Sequence, residues 1–125
     1  PAEVIRRLPG GAEQDMARVW QIAAECLADL AAACGPARFL SLGVCAQGDG
    51  LWPMAADGTP AGPALLWNDT RASDDLAALD RAGACAEVGR GCHTALWAGT
   101  AAVLWRWLRR HDPQAAARTA SSRRA

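Results

Sequence analysis

Residues 38–71 read RFLSLGVCAQGDGLWPMAADGTPAGPALLWNDTR, and this run decides the fold class. Its first ten residues, 38–47, are apolar on both alternating faces. That pattern predicts a strand covered on both sides, at a central position of an α/β sheet. Gly48-Asp49-Gly50 breaks the strand. Leu51 to Met54 then reads as a short strand, Asp57-Gly58 as a hairpin-type turn, and Ala64 to Trp67 as the returning strand. Pro53 has no amide hydrogen to give to a ladder, which places the first of these two at a sheet edge.

Helices flank this run. Upstream, Asp15 is a candidate N-cap for a helix over 15–34 whose apolar face is Val19, Ile22, Cys26, Leu27, Leu30 and Cys34. Gly35-Pro36 stops it, and that helix is expected to cover the 38–47 strand. Downstream, Asn68-Asp69-Thr70 offers N-caps for a helix through about Ala82, with Gly83 as its stop. Residues 84–99 read as irregular and Gly-rich. A third helix, roughly Thr100 to His111, sets Val103, Leu104, Trp107 and Leu108 on one face before Asp112-Pro113 ends it. The organisation predicted is a lead-in strand end and loop over 1–14, one α/β unit over 15–113, and a disordered polar tail over 114–125.

Composition excludes several function classes. Thirteen basic residues balance thirteen acidic ones, so no nucleic acid or anionic membrane is expected as partner. Five cysteines without a Cys-x-x-Cys pair fit a reducing cytoplasm better than a disulfide-stapled domain. No apolar run approaches the roughly twenty residues that span a bilayer. The opening PAEVIRRLPGG has no signal-peptide core and no initiator Met, and the true start of the protein is expected to lie elsewhere.

Two constellations carry chemistry. Gln47-Gly48-Asp49-Gly50 follows a buried strand, and the carboxyl ends of strands are where open α/β sheets bind ligands. Asp49 accepts hydrogen bonds, and Gln47 both donates and accepts. The bland reading is a plain turn, since Gly-Asp-Gly is ordinary turn chemistry. In Trp67-Asn68-Asp69-Thr70-Arg71, the indole offers a flat apolar face for the C–H side of a polyol, with polar groups beside it. Here the bland reading is a core Trp67, with Asp69 as a cap paired to Arg71. Cys85, Cys92 and His93 are of metal-ligand type but poorly spaced, and no metal site is expected.

Together the two constellations resemble the FGGY family of carbohydrate kinases. In that family a strand ending Gly-x-x-x-Gln precedes a hairpin with an Asp-Gly turn and a strand ending Trp-x-Asp-x-Arg. Here GVCAQ stands at 43–47, ADG at 56–58 and WNDTR at 67–71. Glu13-Gln14-Asp15 with Trp20 upstream, and Trp105, Leu108 and His111-Asp112-Pro113 downstream, are similar to the family as well. Gln-Gly-Asp-Gly followed by Trp52 is most like the polyol kinases, erythritol kinase in particular. The resemblance implies part of a ribonuclease H-like domain of the actin/hexokinase type, with a mixed sheet and flanking helices.

It also implies a cytoplasmic kinase that uses ATP and Mg²⁺ to phosphorylate a sugar or polyol, this stretch supplying the substrate side. Residue by residue, it puts Gln47, Gly48 and Asp49 on the loop that touches substrate hydroxyls and Trp67 on the aromatic lining the sugar. Trp97 falls on a substrate-contacting aromatic of glycerol kinases, and Asp69 and Arg71 hold the loop. The family's Asp-x-Gly phosphate loop, general-base Asp and adenine-binding domain have no counterpart in these 125 residues. The chain alone is therefore expected to be inactive and, with apolar surface uncovered, to form homo-oligomers. The alternatives are a non-catalytic polyol-binding module and a structural, self-associating domain.

Overall fold

The computed structural model describes residues 3–35, 39–46 and 48–120. Strand β1 (Glu13–Gln14) leads into helix α1 (Met16–Cys34). After an irregular segment come β2 (Gly50–Leu51) and β3 (Ala64–Leu66), then α2 (Ser73–Arg81), α3 (Ala84–Cys92), α4 (Ala101–His111) and α5 (Pro113–Arg118). The strands form one sheet in the order β1-β3-β2, both pairs antiparallel, with Glu13 opposite Leu65 and Gly50 opposite Leu66. The fold is α/β, and all the pairing among the described strands is antiparallel.

The hairpin forms where the sequence predicts it. Asp57 Oδ1 accepts from the Thr59 amide (3.0 Å) and hydroxyl (2.7 Å), and Gly58 takes φ 82°. Gly50 has a second reason to be glycine. At φ 105° a Cβ would stand 2.6 Å from the Leu65 carbonyl oxygen, so only the bare backbone lets β2 close on β3. β2 lies at the sheet edge, as Pro53 suggested.

Strand β3 is the buried centre, with all three residues inside. Leu65 packs with Ala72, Val103 and Leu104, and Leu51, Leu76, Leu79, Leu96 and Trp107 close around them. Helix α4 thus lies across the sheet and is clamped to α2 by charge. Buried Asp75 accepts from Arg106 Nε (2.9 Å) and Arg110 Nη1 (2.7 Å).

Four expectations need correction. Residues 39–46 form no strand and lie exposed, with Leu40 at 88% and Val44 at 86%; Arg38 and Gln47 fall outside the described residues. A central strand must satisfy its amides and carbonyls on both edges, and no partner for this segment exists among the described residues. Helix α1 forms with its Asp15 cap (Arg18 N–H to Oδ1, 3.1 Å), yet it buries no residue, and no strand forms over 39–46 for it to cover.

Residues 84–92 are helical despite Gly89 and Gly91. Glycine in a helix interior costs about 1 kcal/mol relative to alanine. The half-buried face of Ala84, Cys85, Val88 and Gly89, on a helix that packs beside α2, offsets it. Of the tail expected to be disordered over 114–125, residues 114–118 instead belong to α5, and 121–125 lie outside the described residues. Asp112 Oδ1 caps the Ala115 amide (2.9 Å) and Pro113 occupies the first turn. Arg118 Nη2 then donates to the Ala61 carbonyl (2.8 Å) and the Ala120 amide to that of Met54 (2.8 Å).

Candidate functional site

The pairing of Gly50 with Leu66 sets Asp49 beside Trp67, at the amino end of β2 and the carboxyl end of β3. The site therefore sits at the end of β3 rather than at the end of a 38–47 strand. Helix α4 reaches the same corner. The Asp49 Oδ1 atom accepts from its neighbour Gly50 N–H (2.9 Å) and from Ala101 N–H (3.2 Å), the first amide of α4, which closes a gap of 52 residues in sequence. A carboxylate at a helix amino terminus satisfies an otherwise unpaired amide and meets the positive end of the helix dipole. Oδ2 of Asp49 has no partner among the described residues.

Trp97 completes the corner. Its indole N–H donates to the Trp67 carbonyl (3.2 Å) and its backbone N–H to Thr100 Oγ1 (2.9 Å). A Cβ at Gly99 would overlap the Trp67 carbonyl, so glycine there is what lets the segment before α4 press against the end of β3. Trp67 is 50% exposed and Trp97 40%, so both rings keep accessible surface. Trp52 is 38% exposed. Asp49, Trp67 and Trp97 are therefore brought together. Gly48 is an exposed bend on the same loop, and Gln47 lies outside the described residues.

Asp69 and Arg71 are elsewhere, in the interior. Asp69 is fully buried, and its Oδ2 accepts from Ala12 N–H (2.8 Å) while Oδ1 accepts from Arg71 N–H (2.9 Å). Arg71 Nε donates to both carboxylate oxygens (3.0 and 2.8 Å). Its Nη2 lies 2.8 Å from Glu13 Oε1 and 2.8 Å from Asp69 Oδ2, in ion-pair range but off the line of its N–H bonds, and Glu13 Oε2 has no partner in the described structure. The guanidinium lies 4.9 Å over Trp107, whose ring stacks on His111 at 4.6 Å. This network ties the Trp67–Arg71 turn to β1 and α4. Asp69 accordingly does not cap α2, whose N-cap residue is Ala72.

Hollows of about 410 Å³, by Glu13, Pro63 and Arg118, and about 590 Å³, by Leu79, Val88 and Trp105, include none of Asp49, Trp67 and Trp97. No group of three or more His, Cys, Asp or Glu among the described residues is placed to hold a metal ion. Reading the sequence missed Thr100 and Gly99 as parts of the corner and Glu13 as the partner of Arg71. Thr100 stands at a readable N-cap position, whereas the link from Glu13 to Arg71 spans 58 residues and leaves no local trace.

The profile described as "FGGY family of carbohydrate kinases, N-terminal domain" matches residues 1–122. The chain is 32% identical over 108 residues to the L-xylulose/3-keto-L-gulonate kinase of Escherichia coli (strain K12), covering 85% of this chain and 22% of that protein. It is 39% identical over 72 residues to the erythritol kinase of Brucella abortus (strain 2308), covering 56% of this chain and 14% of that protein. Among solved structures, a "xyloylose kinase from Brucella ovis" superposes with TM-score 0.83 at 27% identity, over 94% of this chain and 24% of that one. The xylulose kinase of Rhodospirillum rubrum superposes at TM-score 0.85 and 23% identity, over 97% of this chain and 25% of that one, and bears on the fold alone. The matches thus span 14–25% of the length of these relatives, and the chain belongs to the FGGY family of carbohydrate kinases.

Proposed function

We propose that this chain forms the substrate-holding wall of an ATP-dependent kinase that phosphorylates a hydroxyl of a sugar or polyol. The observation that carries this reading is the meeting of one anchored carboxylate with two exposed indoles. A polyol has two needs, fixed partners for its hydroxyls and an apolar platform for its C–H face. Asp49 Oδ2 serves the first, with Gln47 and Gly48 on the same loop; Trp67 and Trp97 serve the second.

Relatives named L-xylulose/3-keto-L-gulonate, xylulose and erythritol kinases support a sugar or polyol substrate of four to six carbons. In that kinase ATP would supply the phosphoryl group and Mg²⁺ would neutralise its charge, both held mainly by parts outside this chain, as would be the base. What these residues do is hold and orient the acceptor, on which phosphoryl transfer depends. Asp69 and Arg71 support the loop from within. We place the enzyme in the cytoplasm, where its five free cysteines would stay reduced. We also infer that the 125-residue chain by itself turns over nothing and self-associates through its uncovered apolar surface.

The test is a pair of variants in the kinase-length polypeptide. Asp49→Ala removes a charge-assisted hydrogen bond worth about 1.5–3 kcal/mol, so sugar affinity should fall roughly ten- to a hundredfold. Trp67→Ala should weaken sugar binding while leaving ATP affinity unchanged. Equal loss of both ligands together with a lower melting temperature would make Trp67 a packing residue and refute the site.

A further inference from the structure

Thr100 stands at the N-cap position of α4 with extended backbone (φ −66°, ψ 137°), yet its hydroxyl caps nothing in the helix. An N-cap threonine ordinarily accepts from an amide two or three residues on. Here Oγ1 is turned back and accepts from Trp97 N–H at 2.9 Å, while the Thr100 amide donates to the Trp97 carbonyl at 3.0 Å. The helix amide next in line, Ala101 N–H, is taken by Asp49 instead. The same three-residue step therefore fixes the Trp97 backbone and presents the amide that holds Asp49.

We infer that Thr100 is a positioning residue for the substrate site, setting the spacing between the indole platform and the carboxylate. The inference rests on the substrate-site reading above. Three further facts carry it. The Trp97 ring is held at its far end by the Trp67 carbonyl (3.2 Å), so its placement is fixed at two points, of which Thr100 supplies one. A side chain at Gly99 would overlap the Trp67 carbonyl, so the step between Trp97 and Thr100 is pressed against the end of β3. Behind Thr100, Val103 and Leu104 are fully buried and donate their amides to the Thr100 carbonyl (3.0 and 2.9 Å), which anchors the step to the core. A displacement of the Trp97 backbone thus moves one ring against a fixed carboxylate rather than moving the whole corner.

The experiment compares Thr100→Val, which keeps shape and removes the acceptor, with Thr100→Ser, which restores it. In this chain, solvent exchange of the Trp97 indole N–H, read by NMR, should accelerate about fivefold in the Val variant and return in Ser, with Trp105 unchanged. In the kinase-length polypeptide, Thr100→Val should raise KM for erythritol or xylulose about fivefold, leave KM for ATP unchanged, and be rescued by Ser. Unchanged indole exchange overturns the inference. So does altered exchange with an unaltered sugar KM, or a rise in both KM values with a fall in melting temperature, each of which makes Thr100 structural. Trp67→Ala, run alongside, separates the two failures. If it raises the sugar KM while Thr100→Val does not, only the positioning role falls. If neither does, or no polyol or ketose is phosphorylated, the substrate-site reading falls and this inference with it.

Discussion

Leu104 and Leu40 both belong to strongly apolar stretches, yet Leu104 is fully buried and Leu40 is 88% exposed. Around Leu104, on α4, the sheet supplies Leu51 and Leu65 and α2 supplies Leu76 and Leu79, and each strand of that sheet has a ladder partner. Around Leu40 there is an irregular segment, and the α1 helix before it buries none of its side chains. Apolar character nominates a segment for burial, but partners decide it. A strand needs hydrogen bonds at both edges as well as cover on both faces, and residues 39–46 have neither among the described residues.

The sharpest way to break this contrast is to attack the packed half. Arg71→Ala leaves Asp69 and Glu13 buried without their cation. Breaking a buried pair in this way typically costs about 3–5 kcal/mol. We expect the variant to be largely unfolded by circular dichroism, and a melting temperature near wild type would show that the network contributes little. Leu104→Ala should cost about 2–5 kcal/mol through lost contacts and a residual cavity, against under about 0.5 kcal/mol for Leu40→Ala. Similar losses at both positions in urea titrations would abolish the distinction between the two halves.

The exposed half makes its own, smaller prediction. If Leu40 and Val44 drive self-association of the chain, a Leu40→Ser/Val44→Ser variant should sediment at lower mass with an unchanged melting curve. A wild-type chain that stays monomeric at high concentration would remove the premise.

The smallest effect lies at the hairpin tip. Hydrogen bonds from the Thr59 hydroxyl and amide hold the Asp57 carboxyl below its ordinary value of 3.8. A folded-state value depressed below the unfolded one contributes stability above the ordinary value and loses it as pH falls through the folded one. The Thr59 amide resonance should therefore titrate with a midpoint below 3.8. A midpoint at or above that value would show that the turn does not select the ionised form.

What the sequence disclosed follows the same division. Asp57-Gly58, Asp15 and the Val103–Leu108 face are local signals, and hairpin, cap and helix all form where those residues put them. Periodicity over 38–47 speaks for the faces of a strand and is silent about its edges, and no strand forms over the described residues 39–46. Helix α3 was hidden by Gly89 and Gly91, whose unfavourable propensity is overridden by packing beside α2. Helix α5 was hidden differently, since Asp112-Pro113 both ends one helix and caps the next. At the candidate site, Gly-Asp-Gly and Trp-Asn-Asp-Thr-Arg were visible as chemistry, and the contacts of Asp49 with Ala101 and of Trp97 with Trp67 were not.

The clasp of the hairpin by the end of the chain has a consequence in time. Arg118 reaches the Ala61 carbonyl and Ala120 the Met54 carbonyl, so the segment between β2 and β3 is closed by residues made 57 and more positions later. At synthesis rates of roughly 5–20 residues per second, that interval lasts about 3–11 s. Until then the clasp is unmade, a window in which another partner can reach the hairpin before helix α5 does.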